Sequence, residues 1–346
     1  FAQVAACRLG ARHLGELFAR YGVATLESVF DGIIVRTAER MRTAVARIPA
    51  GVYSFEDMMD DDGLGTFDIP LKLKVEVGDG RIRFDFTGSS PQVKGNINVT
   101  FNATQASVCY ALKALLDPDV PNNQAVLDTP EIIAPHGTIL NAAFPAAVAA
   151  RANTCQRIID LVIGALAPAL PEQAVGAANG ANTTAVFSGV DPRNGRHYVY
   201  LETLGGGFGG RATKDGKDGV QVHITNTSNL PVEAIETEYP LMVHGYGLIE
   251  DSGGAGRHRG GLGLRRVISP LDHECIFSGT GERFRHAPWG LFGGTAGATG
   301  RFVLTKAGNT VQLEAKPAAV TIAAGDVLTL ETPGAGGYGE PGLRSE

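Results

Sequence analysis

Between Glu202 and Arg266 the sequence gathers side chains capable of acid–base and anion chemistry inside unusually glycine-dense backbone. ETLGGGFGGR (202–211) leads to DGKDG (215–219), TNTSNLPVEAIETEYPL (225–241) and DSGGAGRHRGGLGLRR (251–266). Glycine at this density gives up conformational entropy, so it needs a geometric reason. Two reasons compete: tight turns between strands, or the close approach of a second backbone or a ligand. Glu202 is the candidate general base, a role carboxylates take when partly buried. Arg211 is placed to stabilise developing negative charge. Asp215 and Asp218 lie around the same loop and join the candidate substrate- or anion-binding residues.

A second cluster, Arg151, Asn153, Thr154 and Arg157, stands where a strongly amphipathic helix begins. Guanidinium groups beside a helix N-terminus make a natural anion site. The alternative is that Thr154 or Asn153 simply caps the helix. His223, His244 and His258 fall in the central region and read first as structural histidines. Gly205, Gly207 and Gly210 fit GxGxxG after a strand, but polar RATKDGKDG follows instead of an apolar helix, which excludes a dinucleotide fingerprint. There is no GK[ST] phosphate loop and no GxSxG elbow. Cys7, Cys109, Cys155 and Cys275 form no CxxC pair, which fits reduced thiols and a cytoplasmic chain. No metal site is assigned to these residues.

The elements that must hold these groups divide into a helix-rich first half and a strand-rich second half. Residues 1–21 and 25–48 read as helices. In the second, Val29, Ile33, Met41, Ala44, Val45 and Ile48 form an apolar face opposite Arg36, Glu39, Arg40, Arg42 and Arg47. GVYSFEDMMDDDG (51–63) reads as a strand and a solvated acidic turn. IPLKLKVEV (69–77), GDG (78–80) and RIRFDFTGS (81–89) alternate as a hairpin with one buried face. A helix over 104–116 stops at Asp117-Pro118, and a strand is expected at 131–135. Ile158, Leu161, Val162, Ala165 and Leu166 mark the strongest helix. Strands are then expected at 183–188, 197–203, 220–226, 264–269, 274–279, 301–305, 311–315 and 326–331. The fold class is α+β: N-terminal helices and a hairpin, then a β-rich region with glycine loops. A boundary near residue 180 separates 1–180 from 181–346.

Composition bounds the function. The 346 residues carry a net charge of −6, which argues against a general nucleic-acid binder. No apolar run is long enough for a membrane helix. The chain opens on Phe1 in mid-pattern, as expected of a fragment or a processed chain.

Several phrases, in order, resemble the hydantoinase B/5-oxoprolinase family: AERMR (38–42), DFTGSSPQVKGNIN (85–98), VAARANTCQRIIDLVIGAL (148–166), DGKDG, TNTSNLPVEAIETEYPL, DSGGAGRHRGGLGLRR, PWGLFGG (288–294) and TPGAGGYGEP (332–341). The resemblance implies the B-type part of an ATP-dependent cyclic amidohydrolase. Such a subunit acts with an A-type partner that binds ATP with Mg2+ and activates the amide by phosphorylation. It equally admits a subunit of an ATP-dependent ketone carboxylase, or a non-catalytic scaffold for that partner. The family's acidic, histidine-rich metal segment is absent here. Any divalent metal is then expected through an N-terminal segment outside this sequence or on another polypeptide, or else this piece is inactive alone.

Overall fold

The apolar periodicity of the first half resolves into helices laid on one sheet. A computed structural model describes residues 1–344. Helices α1 (Ala2–Tyr21) and α2 (Val23–Val45) precede strands β1 (Gly51–Asp61), β2 (Phe67–Gly78) and β3 (Arg81–Asp85). Helix α3 (Phe101–Leu116), the short α4 (Gln124–Leu127), strand β4 (Glu131–Ile133) and helix α5 (Arg151–Leu166) follow. The sheet order is β1-β2-β3-β4, with only β3 and β4 parallel. On β2 the alternation is as expected: Ile69, Leu71, Leu73, Val75 and Val77 are buried. Asp79 and Gly80 both take positive φ, the geometry that closes a two-residue hairpin along the sheet twist. Helix α5 is buried along its whole length from Asn153 to Leu166. Its Ile159 and Val162 share a core with Leu71, Val75 and Phe84.

The second half is a pair of facing sheets. It comprises β5 (Thr183–Val190), β6 (His197–Leu204), helix α6 (Val232–Glu238), β7 (Leu241–Leu248), β8 (Leu264–Pro270) and β9 (Cys275–Thr280). Then come β10 (Arg301–Lys306), β11 (Asn309–Leu313), β12 (Val320–Ile322) and β13 (Val327–Glu331). The orders are β11-β10-β13-β8-β7 and β12-β9-β5-β6. Phe187, Phe277, Phe302 and Ile268 fill the space between them. The α+β class is as expected.

Several expectations are corrected. Residues 220–226 form no strand; Val220 makes one bridge to Gly206, and His223 breaks the extended run at φ 48°. Helix α6 and strand β7 were not anticipated in the polar text around them. Of the apolar face expected on α2, Met41, Ala44, Val45 and the following Ile48 are buried, while Val29 and Ile33 are exposed; Leu26 is buried near the helix start. The acidic turn is not solvated: Asp60, Asp61 and Asp62 are buried. Backbone amides replace water there, with Phe284, Arg285 and His286 N–H groups donating to Asp60, and Leu64, Thr66 and Gly95 to Asp62.

The glycine question is settled in favour of close approach. None of the glycines at 205–210 has positive φ. Instead, separate glycine segments lie side by side and hydrogen-bond to one another: Gly207 N to Pro333 O, Gly210 N to Gly336 O, and Gly261 N to Phe208 O. A Cβ on Gly209 would sit 1.8 Å from Gly176 O, and one on Gly261 1.8 Å from Lys217 O. Any side chain there would force the backbones apart.

Candidate functional site

Helix α5 carries one charged residue in its apolar run, Asp160 within IIDLVI. A carboxylate so placed must be paired. His223 Nε2 lies 2.9 Å from Asp160 Oδ1, and Arg283 Nη2 lies 2.8 Å from Oδ2. Burial pushes the Asp160 carboxyl upward, yet the hydrogen bond and charge of His223 and the Arg283 guanidinium outweigh it and hold the group below the ordinary range. Asp160 is therefore ionised and only accepts. The proton between the two belongs on His223 Nε2.

Arg283 is fixed from the other side. Its Nη2 also donates to Asp57 Oδ2 at 2.9 Å, and Trp289 Nε1 donates to the same oxygen at 3.1 Å. Arg157 donates to Asp57 Oδ1 at 3.1 Å and to Met58 O at 2.6 Å, and reaches Glu282 at 3.4 Å. Lys316 closes the chain on Glu282 at 2.7 Å. Burial favours neutral Asp57, but Arg283 and Arg157 prevail and bring its carboxyl from 3.8 to about 2. Burial has the upper hand at Glu282, whose carboxyl is pushed up despite Lys316. This buried charge network ties α5 and β1 to the 282–289 loop.

His223 is also part of a cavity wall. The cavity holds about 950 Å³ between α3, the α4 region and the turn at 223–224, within the range of small-molecule sites. Tyr110 places its ring 6.1 Å from the His223 ring, and Phe208 flanks it at 5.7 Å. Cys109 lines the wall as a neutral group, since burial pushes its thiol up to about 12. His223 borders this mostly apolar cavity with its imidazole almost wholly buried, oriented by Asp160 behind the cavity wall, an arrangement suited to acid–base work once the imidazole is reached.

The sequence-based candidates sit elsewhere, and most are already committed. Arg151, Asn153, Thr154 and Arg157 do not converge on an anion. Arg151 is exposed and donates to Val148 O. Asn153 Oδ1 accepts from Asn182 N, and Thr154 Oγ1 donates to Ile97 O. Arg157 is consumed by Asp57 and Glu282. The four residues spread over nearly two helical turns, and three of their side chains enter the core, each bound to a different partner, while Arg151 stays outside. Glu202 projects from β6 between the two sheets, 3.0 Å from Arg266, with Asn229 Nδ2 donating to it at 2.8 Å. Arg211 donates to Asp215 O. Asp218 takes both arms of Arg259, and Asp215 those of Arg344. These acids staple the glycine segments; Glu202 does not meet them. Asp160 and Arg283 went unnoticed in the sequence, and Asp57 was read only as part of the solvated acidic stretch. Asp160 had a local signal, a lone acid in an apolar helical run; Arg283 had none. Among the described residues, no three His, Cys, Asp or Glu side chains converge as a metal requires, so no step is assigned to a metal held by them. No helix among these residues is long and apolar enough to cross a membrane.

Comparison with known proteins adds an independent line. The family model for hydantoinase B/oxoprolinase matches residues 1–341. The chain is 36% identical over 354 residues to 5-oxoprolinase 1 of Arabidopsis thaliana, covering 98% of this chain and 26% of that protein. It is 33% identical over 353 residues to the putative B-type subunit of a D-/L-hydantoinase from Pseudomonas sp. (strain NS671), covering 98% of this chain and 59% of that one. The crystal structure of the ATP-dependent caprolactamase of Pseudomonas jessenii superposes with a TM-score of 0.90 at 26% identity, over 99% of this chain and 61% of that chain. The chain thus spans less than two thirds of the length of each of these relatives.

Proposed function

The chain belongs to the hydantoinase B/oxoprolinase family, and on that premise we propose that it is the B-type part of an ATP-dependent enzyme that opens a cyclic amide. A neutral amide is a poor electrophile, and its nitrogen is a poor leaving group. In this reading an A-type partner, with ATP and its Mg2+, phosphorylates the amide oxygen. The activated ring then needs water delivered to its carbonyl carbon and a proton delivered to its nitrogen.

His223 supplies both proton transfers. In its neutral form His223 accepts at Nδ1 a proton from the attacking water, the oxygen adds to carbon, and the C–N bond breaks as the proton passes to nitrogen; the acyl phosphate left on the opened chain is then hydrolysed by a second water, which releases inorganic phosphate. Asp160 holds the tautomer and balances the transient imidazolium, and Arg283 fixes Asp160. The observation that carries this reading is the buried Asp160–His223 pair on the wall of a cavity of about 950 Å³. Glu202, locked to Arg266, takes a structural role here.

The test is ATP-dependent ring opening by the complex of this chain with its A-type partner, offered 5-oxoproline, N-methylhydantoin and caprolactam. His223→Gln should lower turnover about 10²–10⁴-fold while the complex still assembles. Unchanged turnover overturns the assignment. Carboxylation of acetophenone with bicarbonate, in place of hydrolysis, moves the chain to the ketone carboxylase alternative.

A further inference from the structure

Strand β6 is the last strand of the sheet β12-β9-β5-β6, so one of its two sides has no neighbouring strand. The direction of its backbone groups follows from the strands beside it. Gly279 N donates to Pro317 O, away from β5, so β9 bonds β5 through the alternate residues Ile276, Ser278 and Thr280. Ala185, Phe187 and Gly189 are then the residues of β5 that bond β6, and they face Glu202, Tyr200 and Tyr198. The backbone groups of Val199, Leu201 and Thr203 therefore point off the edge. Thr203 O agrees with this, since it accepts from Gln221 Nε2 at 3.0 Å and from Asn229 Nδ2 at 3.1 Å. Among the described residues, nothing bonds the N–H or C=O of Val199 or Leu201 from that side.

This edge is unguarded. Proteins blunt sheet edges with short strands, bulges or outward charges, because free N–H and C=O groups pair with other chains. The other edges have such devices. Strand β7 carries a bulge between Val243 and Gly245, and Val243 N is bonded to Glu236. Strand β1 exposes Glu56 and gives Met58 O to Arg157. Strands β4 and β12 have three residues each, and β11 has five. The solvent side of β6 is His197, Val199, Leu201 and Thr203, with no Lys, Arg, Asp or Glu among them. Val199 and Leu201 are 63% and 61% exposed. Val186 and Ile276, half-buried on the same face, continue this apolar surface across the sheet.

The strand is complementary to itself. Consider an antiparallel pair about a twofold axis through Tyr200. Val199 of each copy then lies opposite Leu201 of the other. Opposed residues whose groups point off the edge exchange both N–H···O bonds. The ladder uses the free groups of Val199 and Leu201 and stops at Thr203 O, which is already taken. The Val199 and Leu201 side chains share one face and pack as cross-strand pairs. No like charges meet. A twofold contact requires that one patch fit its own copy; a strand from a different protein does not.

We propose that β6 is a dimerisation edge, at which a second copy of this chain adds its own β6 and joins the two four-stranded sheets into one.

The test measures the mass of the chain by sedimentation, and amide hydrogen exchange along β6, at rising chain concentration. The wild type should be a dimer, with exchange at Val199 and Leu201 slowing as it forms. Val199→Lys combined with Leu201→Lys sets like charges opposite one another and should give a monomer with unchanged far-ultraviolet circular dichroism. Leu201→Pro removes an N–H that β5 does not use. It should weaken the dimer by about tenfold or more, the scale of two lost hydrogen bonds. Leu14→Lys, on exposed α1, should leave the dimer intact. A monomeric wild type overturns the proposal. So does a dimer that survives both β6 variants, or one that only Leu14→Lys dissolves, which would place the contact on the N-terminal helices. Protection that appears only on adding the A-type partner also overturns it and assigns the edge to that partner. If the lysine variant fails to fold, exchange in the wild-type dimer decides: slowed amides at Val199 and Leu201 support the ladder, and fast ones overturn it.

Discussion

His223 Nε2 stands 2.9 Å from Asp160 Oδ1, with the two side chains 2% and 1% exposed, although 63 residues separate them in the chain. His223 holds this position in the left-handed region, where few non-glycine residues settle. Asp160→Asn should therefore differ from His223→Gln. An asparagine can offer its NH2 group to the imidazole and so fix the other tautomer. It also leaves Arg283 with Asp57 as its remaining carboxylate partner. Turnover should fall in both variants, but only Asp160→Asn should also lower the melting temperature. Equal thermal stability of the two variants in calorimetry would count against the network.

The Asp57 carboxyl gives the fold an acid limit. Its pKa is lower in the folded chain, at about 2 against an ordinary 3.8. Its stabilisation is therefore fully present above the ordinary value and is lost as pH falls from 3.8 towards about 2. The shift corresponds to roughly 2 kcal/mol. Denaturant midpoints measured from pH 5 to pH 2 should drop steeply in the wild type and less so in Asp57→Asn.

Buried and surface arginines should separate clearly. Arg157→Met leaves Asp57 and Glu282 short of a cation in the core and is expected to cost about 3–5 kcal/mol. Arg40→Met removes a half-exposed pair with Asp117 and should cost about 1 kcal/mol or less. Urea unfolding of both variants checks the contrast; similar losses would contradict it.

Glycines of the bundle and glycines of the helices should respond in opposite directions. Gly209→Ala places a methyl 1.8 Å from Gly176 O and should cost about 3 kcal/mol or more, or prevent folding. Gly10→Ala meets nothing within 4 Å on the exposed face of α1 and should stabilise the helix by about 1 kcal/mol. Soluble yield and melting temperature of the pair decide the point.

The sequence by itself determined what depends on neighbours along the chain. The spacing of Ile158, Leu161, Val162 and Ala165 specifies α5, because a helix repeats over a few residues. The alternation from Ile69 to Val77, with Asp79-Gly80, specifies the hairpin for the same reason. The ordered phrases from Ala38 to Pro341 specified the family. The tertiary structure alone decided the rest. The partners of Asp57 lie 100 and 226 residues away, at Arg157 and Arg283, and no local pattern pairs charges across such distances. The same limit made Asp60, Asp61 and Asp62 look like a wet turn, since their backbone donors come from distant segments. It made Glu202 look like a free base, because Arg266 is brought to it only when the two sheets face each other. The glycine loops were ambiguous for the same reason. A glycine that permits a turn and a glycine that admits a second backbone are the same letter, and only the packed chain distinguishes them.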